Sequence, residues 1–198
     1  MINNCCCFRR NPLMSALVLL FPFSCATGAN TSNFPPVYLT SRAQFYLLPA
    51  AEMEQTLDCA QQITVNFDGQ EFTMEAWVQA DEQGIEIALF TAMGVDMGNF
   101  SFSDSGVSLD SPVFPQAFRA EYLAADFQLC YFRPAALRNS LNALKLSFEL
   151  TNELDDSGLP LEKRMIRDRG KLIIEIRKSE KTIQYTNLLR GYGFTLES

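Results

Sequence analysis

Histidine is absent from all 198 residues. Its absence excludes every mechanism that needs an imidazole as general base, proton shuttle or metal ligand. Ser-His-Asp and Cys-His hydrolases go with it, as do most catalytic zinc sites. Basic residues are also short. Sixteen Lys and Arg against 23 Asp and Glu give a net charge of −7, which argues against a surface built to neutralise nucleic-acid phosphates. No nucleic-acid partner is expected. What is present is a chain that is 47% hydrophobic and 20% charged, enough to bury the core of one domain and too apolar to stay disordered.

Near the start, Arg9 and Arg10 precede an apolar run from Leu13 to Phe23. A membrane-spanning helix needs ~20 apolar residues, so the run is too short to cross a bilayer and reads as a secretory signal over residues 1–24. Directly after it, Phe23-Ser24-Cys25-Ala26 resembles the lipobox of bacterial lipoproteins, in which the cysteine thiol is acylated and becomes the new N-terminus. Ordinary cleavage is the alternative at these residues. Ala26, rather than Asp, matches the pattern of lipoproteins sent on to the outer membrane. The expectation is a protein held by a lipid on Cys25 at the periplasmic face of that membrane, with residues 25–36 as a polar, proline-containing tether and 37–198 as the folded domain. Cys5, Cys6 and Cys7 fall in the leader. Cys59 and Cys130 remain, either as a disulfide in an oxidising compartment or as two buried thiols, since sequence does not place their Cα atoms. The mature chain has no C-x-x-C, so no metal or redox cofactor is expected.

Past the tether the chain alternates. Ile63, Val65 and Phe67 lead to Asp68-Gly69, which signals a tight hairpin, and Phe72, Met74, Ala76 and Val78 return. Ile85, Ile87 and Leu89 follow, then Phe100 and Phe102, then Val107 and Leu109 past a turn at Asp104-Ser105-Gly106. Five consecutive antiparallel strands result, each with one apolar face. The period then shifts: Pro115 to Phe132 predicts one helix and Pro134 starts a second through Leu137, Leu141 and Leu144. Alternation returns at Leu146, Phe148 and Leu150, at Met165, at Leu172, Ile174 and Ile176, at Ile183 and Tyr185, and at Tyr192, Phe194 and Leu196.

So many one-faced strands must bury that face, and the inserted helices supply the cover. The predicted fold is α+β, an incomplete antiparallel β-barrel whose curved sheet wraps over the helices. Two readings of its aromatic inner face stand side by side. One is a hydrophobic cavity for an acyl chain, lined by Val65, Phe67, Phe72, Met74, Ile87, Leu89, Phe100 and Phe102, with Tyr122, Leu129 and Leu137 as a lid. The other is a filled core, the usual fate of an apolar strand face. Charge is uneven: 18 acids against 5 bases from Cys25 to Pro160, then 9 bases against 5 acids from Leu161 to Ser198. Within the basic tail, Lys163, Arg164, Arg167, Arg169 and Lys171 form a group suited either to anionic headgroups or to a solvated strand exterior.

Several segments together carry a resemblance. Tyr46-Leu47-Leu48-Pro49, Ile63 to Ala76, Phe90-Thr91-Ala92-Met93-Gly94, Asp126-Phe127-Gln128-Leu129-Cys130-Tyr131-Phe132 and Gly191-Tyr192-Gly193-Phe194 resemble an uncharacterised family of small bacterial lipoproteins often encoded beside aryl-polyene pigment biosynthesis genes. Phe132 and Arg133 depart from the tryptophan and proline of its pattern. That family is similar in architecture to the lipoprotein carriers LolA and LolB, which implies a half-barrel under helices with an acyl-binding concave face. The function expected is that of an outer-membrane lipoprotein that binds or carries an acyl or lipid group, an aryl-polyene group included, rather than an enzyme. A structural lipoprotein that docks another envelope protein is the alternative. Asp126, alone in an apolar helix, is read as a hydrogen-bonded structural carboxylate or as a buried functional one.

Overall fold

Strand pairing starts earlier in the chain than alternation reveals. Two-residue strands β1 (Val37–Tyr38) and β2 (Gln44–Phe45) form a hairpin of their own, with Val37 and Phe45 buried. The computed structural model describes residues 34–114 and 118–198. The expected signal peptide, Cys25, the tether before Phe34 and Pro115 lie outside the described residues, and the helix expected from Pro115 to Phe132 runs instead from Ala120 to Tyr131, after Phe118 and Arg119. Phe34, placed in the tether by sequence, already packs its ring 5.8 Å from that of Phe102.

The meander follows as expected: β3 (Leu57–Phe67), β4 (Gln70–Ala80), β5 (Gly84–Phe90), β6 (Asp96–Ser103) and β7 (Gly106–Asp110). Asp68 and Gly69 both take positive φ, 50° and 73°, the backbone that a two-residue hairpin demands and that Asp-Gly tolerates. Helices α1 (Ala120–Tyr131) and α2 (Pro134–Ala143) come next, then β8 (Leu146–Leu154), β9 (Pro160–Asp168), β10 (Lys171–Lys178), β11 (Thr182–Asn187) and β12 (Tyr192–Glu197). Among the described residues β3 to β12 form one antiparallel ten-stranded sheet in the order β7-β6-β5-β4-β3-β12-β11-β10-β9-β8. Its edges, β7 and β8, do not pair, so the sheet stays open rather than closing into a barrel.

The sheet nevertheless curls. Helix α1 touches β7 at one edge and is hydrogen-bonded by Arg164 of β9 near the other. Laid flat, those strands would be ~38 Å apart at ~4.8 Å per neighbour, whereas a 12-residue helix is ~18 Å long. Only a sheet bent around the helix brings both within reach.

Two strands differ from the alternation read in sequence. In β9, Ile166 and Arg164 face inward and are fully buried, while Met165 sits on the outer side opposite Glu149 and Glu175. In β10 a bulge between Leu172 and Ile174 turns both Ile173 and Ile174 into the core, because the extra residue breaks the two-residue period. Cys59 and Cys130 are both free thiols.

Candidate functional site

The inner face of the sheet has a packed part and an open part. Over the packed part, Ala124 to Tyr131 of α1 are buried without a break, because the helix has sheet on one side and the 34–53 segment on the other. Gln128 shows the second contact: its side-chain amide accepts from the Leu48 N–H at 2.9 Å and donates to the Leu48 carbonyl at 3.0 Å. Tyr131 lies with its hydroxyl 2.9 Å from Gln61 Nε2 of β3. At the helix C-terminus, Arg164 donates to the carbonyls of Leu129 and Phe132 at 3.1 and 2.9 Å. The same guanidinium donates to Glu54 at 2.8 Å and Glu162 at 2.7 Å. A fully buried cation is thus answered by two carboxylates and by the negative end of a helix.

Asp126 holds the middle of α1. Its Oδ1 accepts from the Tyr185 hydroxyl and its Oδ2 from the Tyr192 hydroxyl, both at 2.6 Å. Burial pushes its carboxyl from 3.8 up to about 6, against the opposing pull of the Tyr185 and Tyr192 hydrogen bonds and the Arg190 charge. Burial, with the Asp126 charge next to it, also raises the Tyr185 and Tyr192 phenols above their ordinary value. Asp126 is therefore the clasp between α1 and strands β11 and β12.

The open part results from unequal strand length. β3 and β4 each run 11 residues, and β5 pairs with β4 only from Glu75 onward. The first turn-side residues of β4 therefore overhang their neighbour. Phe67 and Phe72, on the inward parity of this hairpin, are 56% and 53% exposed, with half-buried Val65, Tyr192 and Phe194 beside them. The loops at the same end of the sheet carry exposed Met93, Val95, Leu188 and Leu189. An apolar mouth forms there.

Beside this mouth lies a cleft of about 480 Å³, between the β1–β2 hairpin and the turns that join β9 to β10 and β11 to β12. Leu39 and Ile173 are buried at its base, and Asp168, Lys171 and Arg190 line its wall. Arg190 reaches the Tyr38 carbonyl and the Tyr122 hydroxyl, its guanidinium 4.5 Å from the Tyr122 ring centre.

The residues expected to line an acyl cavity divide accordingly. Phe67 and Phe72 stand open at the mouth, and Val65, Ile87 and Tyr122 are half-buried. Met74, Leu89, Phe100, Phe102, Leu129 and Leu137 are buried together in the core, where they fill the space between sheet and helices with one another. The basic group divides as well. Lys163 pairs with Glu175, Arg164 with Glu54 and Glu162, and Arg167 with Glu149, leaving Arg169 and Lys171 exposed at the β9–β10 turn. Asp104-Ser105-Gly106 is the turn between β6 and β7, with Asp104 accepting from the Ala50 N–H at 2.9 Å. Among the described residues no three of His, Cys, Asp and Glu gather as a metal site, and no helix is long and apolar enough to cross a membrane.

Sequence reasoning missed Arg164 as a buried cap and Arg190 as a cleft residue. The only local signal for the first is its two-residue spacing from Ile166, which does not tell a buried strand face from a solvated one. The second depends on a fold-back of the 37–45 hairpin that no local pattern announces. No curated protein matches the chain. Residues 58–198, which run from the second residue of β3 through β12 and hold both helices, match the family described as protein of unknown function DUF3261, and the chain belongs to that family.

Proposed function

We propose that this chain is an outer-membrane lipoprotein, anchored through Cys25, that binds or carries an acyl or lipid group, an aryl-polyene acyl group included, without catalysing a reaction. The observation that carries the reading is the exposure of Phe67 and Phe72 on the concave face of an open sheet. Large aromatics on the inward parity of a strand are normally core, and a ligand chain laid over them would remove them from water. The half-barrel arrangement that the resemblance to LolA and LolB implies supports the same reading. Each buried methylene contributes ~0.8 kcal/mol, so about ten of them supply the ~8 kcal/mol of micromolar binding before ordering costs are subtracted. No specific polar contact is needed for that.

A fluorescent fatty-acid probe tests the proposal on the full chain carrying Cys25→Ser. Binding that weakens at least about tenfold in Phe67→Ser/Phe72→Ser supports it. No binding by the unaltered mouth, with no lipid retained on the protein from membranes by mass spectrometry, overturns it.

The burial of Met74, Leu89, Phe100, Phe102, Leu129 and Leu137 in one core favours a second reading, a structural or assembly lipoprotein that docks another envelope protein. Crosslinking in the envelope that captures one protein partner through the mouth, without any lipid, would choose it.

A further inference from the structure

The cleft beside the mouth has chemistry that an apolar chain does not use. Lys171 stands at the first position of β10, exposed, and has no carboxylate within ion-pair distance among the described residues. The nearby acid, Asp168, is taken by Arg42 at 3.2 Å. Arg190 spends only its Nη2 group on Tyr38 and Tyr122, and stacking on the Tyr122 ring holds the guanidinium in place. Among the described residues its Nε–H and Nη1 make no hydrogen bond, so these donors remain for a ligand. Two cations, Arg190 held against Tyr122 and Lys171 at an exposed strand start, therefore line a cleft in a chain whose net charge is −7.

The remaining walls are apolar. Leu39 and Ile173 make the base, and Leu189 leads away along the β11–β12 turn. That turn joins Tyr192, which pairs with Phe67, and Phe72 lies one strand further on, opposite Val65. From β10 to β4 is four neighbours in the sheet, ~19 Å at ~4.8 Å each. One leaflet of bilayer hydrocarbon is ~15 Å deep. On β3, three neighbours from β10, Phe67 lies ~14 Å away, about one such depth, and Phe72 one strand beyond it.

We infer that the cleft holds the anionic head of a single-chain amphiphile, carboxylate or phosphate, while its chain crosses the β11–β12 turn to Phe67 and Phe72. The inference rests on the acyl-binding reading and names the ligand class for it. Charge-assisted hydrogen bonds from Arg190 and Lys171 fix the head, and the mouth takes the chain by area alone. Orientation follows, since a neutral head gains nothing in the cleft.

Calorimetric titration of the full chain carrying Cys25→Ser separates the possibilities, with dodecanoate, dodecyl phosphate, dodecanol and inorganic phosphate as probes below their aggregation limits. The expected result is that both anionic amphiphiles bind about tenfold or more tighter than dodecanol, as one or two charge-assisted hydrogen bonds would provide. Inorganic phosphate should bind far more weakly than dodecyl phosphate. Lys171→Glu, at an exposed position, should remove most of the preference for an anionic head, and Arg190→Gln the rest. Equal affinity for dodecanoate and dodecanol would overturn the headgroup inference while leaving the acyl site standing. Inorganic phosphate binding as tightly as dodecyl phosphate would overturn it in favour of a free-anion site. Failure of all the amphiphiles would remove the acyl-binding reading and this inference with it.

Discussion

Phe100 and Phe72 sit on the same face of the same sheet, two strands apart, yet Phe100 is 1% exposed and Phe72 53%. Residue type does not separate them. Phe100 is buried in one core with residues of α1 and of the 34–53 segment, whereas Phe72 lies on the part of β4 that runs past the end of β5. Strand length and helix placement decide which aromatics become core and which become surface. The packed end is closed by side chains that satisfy one another. The mouth keeps apolar area in reserve, at the end of the sheet where the cationic cleft opens.

Breaking the packed end should cost the most. Replacing Arg164 by Ala empties a fully buried site and leaves Glu162 and two helix carbonyls without their donor, with only Lys178 still on Glu54 at 3.3 Å, and stability in urea should fall by about 3–5 kcal/mol. Phe100→Ala should cost about 3–5 kcal/mol through lost burial and the cavity left behind. Phe72→Ser, a truncation of a half-exposed ring at the mouth, should cost only about 1–2 kcal/mol while weakening fatty-acid binding severalfold. Equal costs for the two Phe truncations would erase the distinction between the ends.

The Asp126 clasp sharpens the comparison through pH. Its folded-state value of about 6 lies above 3.8, so the folded protein holds the proton more tightly than the unfolded chain. The stability this lends is complete below about pH 3.8, declines as pH rises towards 6 and is gone above it, a difference of about 3 kcal/mol. Subtracting the pH profile of Asp126→Asn from that of the unaltered protein should isolate this slope between pH 4 and 6, because Asn still bonds both tyrosines but does not titrate. A flat difference would mean that the carboxylate is solvated and that α1 is held elsewhere.

Much of this architecture was legible beforehand. Strict alternation around Asp68-Gly69 marks the β3–β4 hairpin, and the shift of period with Pro134 marks the second helix. What escaped has physical causes. The β1–β2 hairpin has strands of two residues, too short for any period to show. Ile173 turned inward through a bulge, which alternation cannot anticipate. By sequence Arg164 belongs to a basic group suited to anionic headgroups or to a solvated strand exterior, because charge usually stays in water, and only the nearby carboxylates and helix end make its burial tolerable. For the site, aromatic character marked the right face of the sheet but not how far the helices extend along it. Pattern assigns a residue to a face. Coverage by distant segments assigns it to core or mouth.

Mapping where a chain lies is therefore the most direct test. A photoactivatable fatty acid, crosslinked to the full chain carrying Cys25→Ser and located by peptide mass spectrometry, should label the Val65–Met74 hairpin and the Leu188–Phe194 turn. Labelling centred on the outer face around Trp77, or none above an irradiated control lacking the fatty acid, would contradict the claim that the mouth is the acyl site.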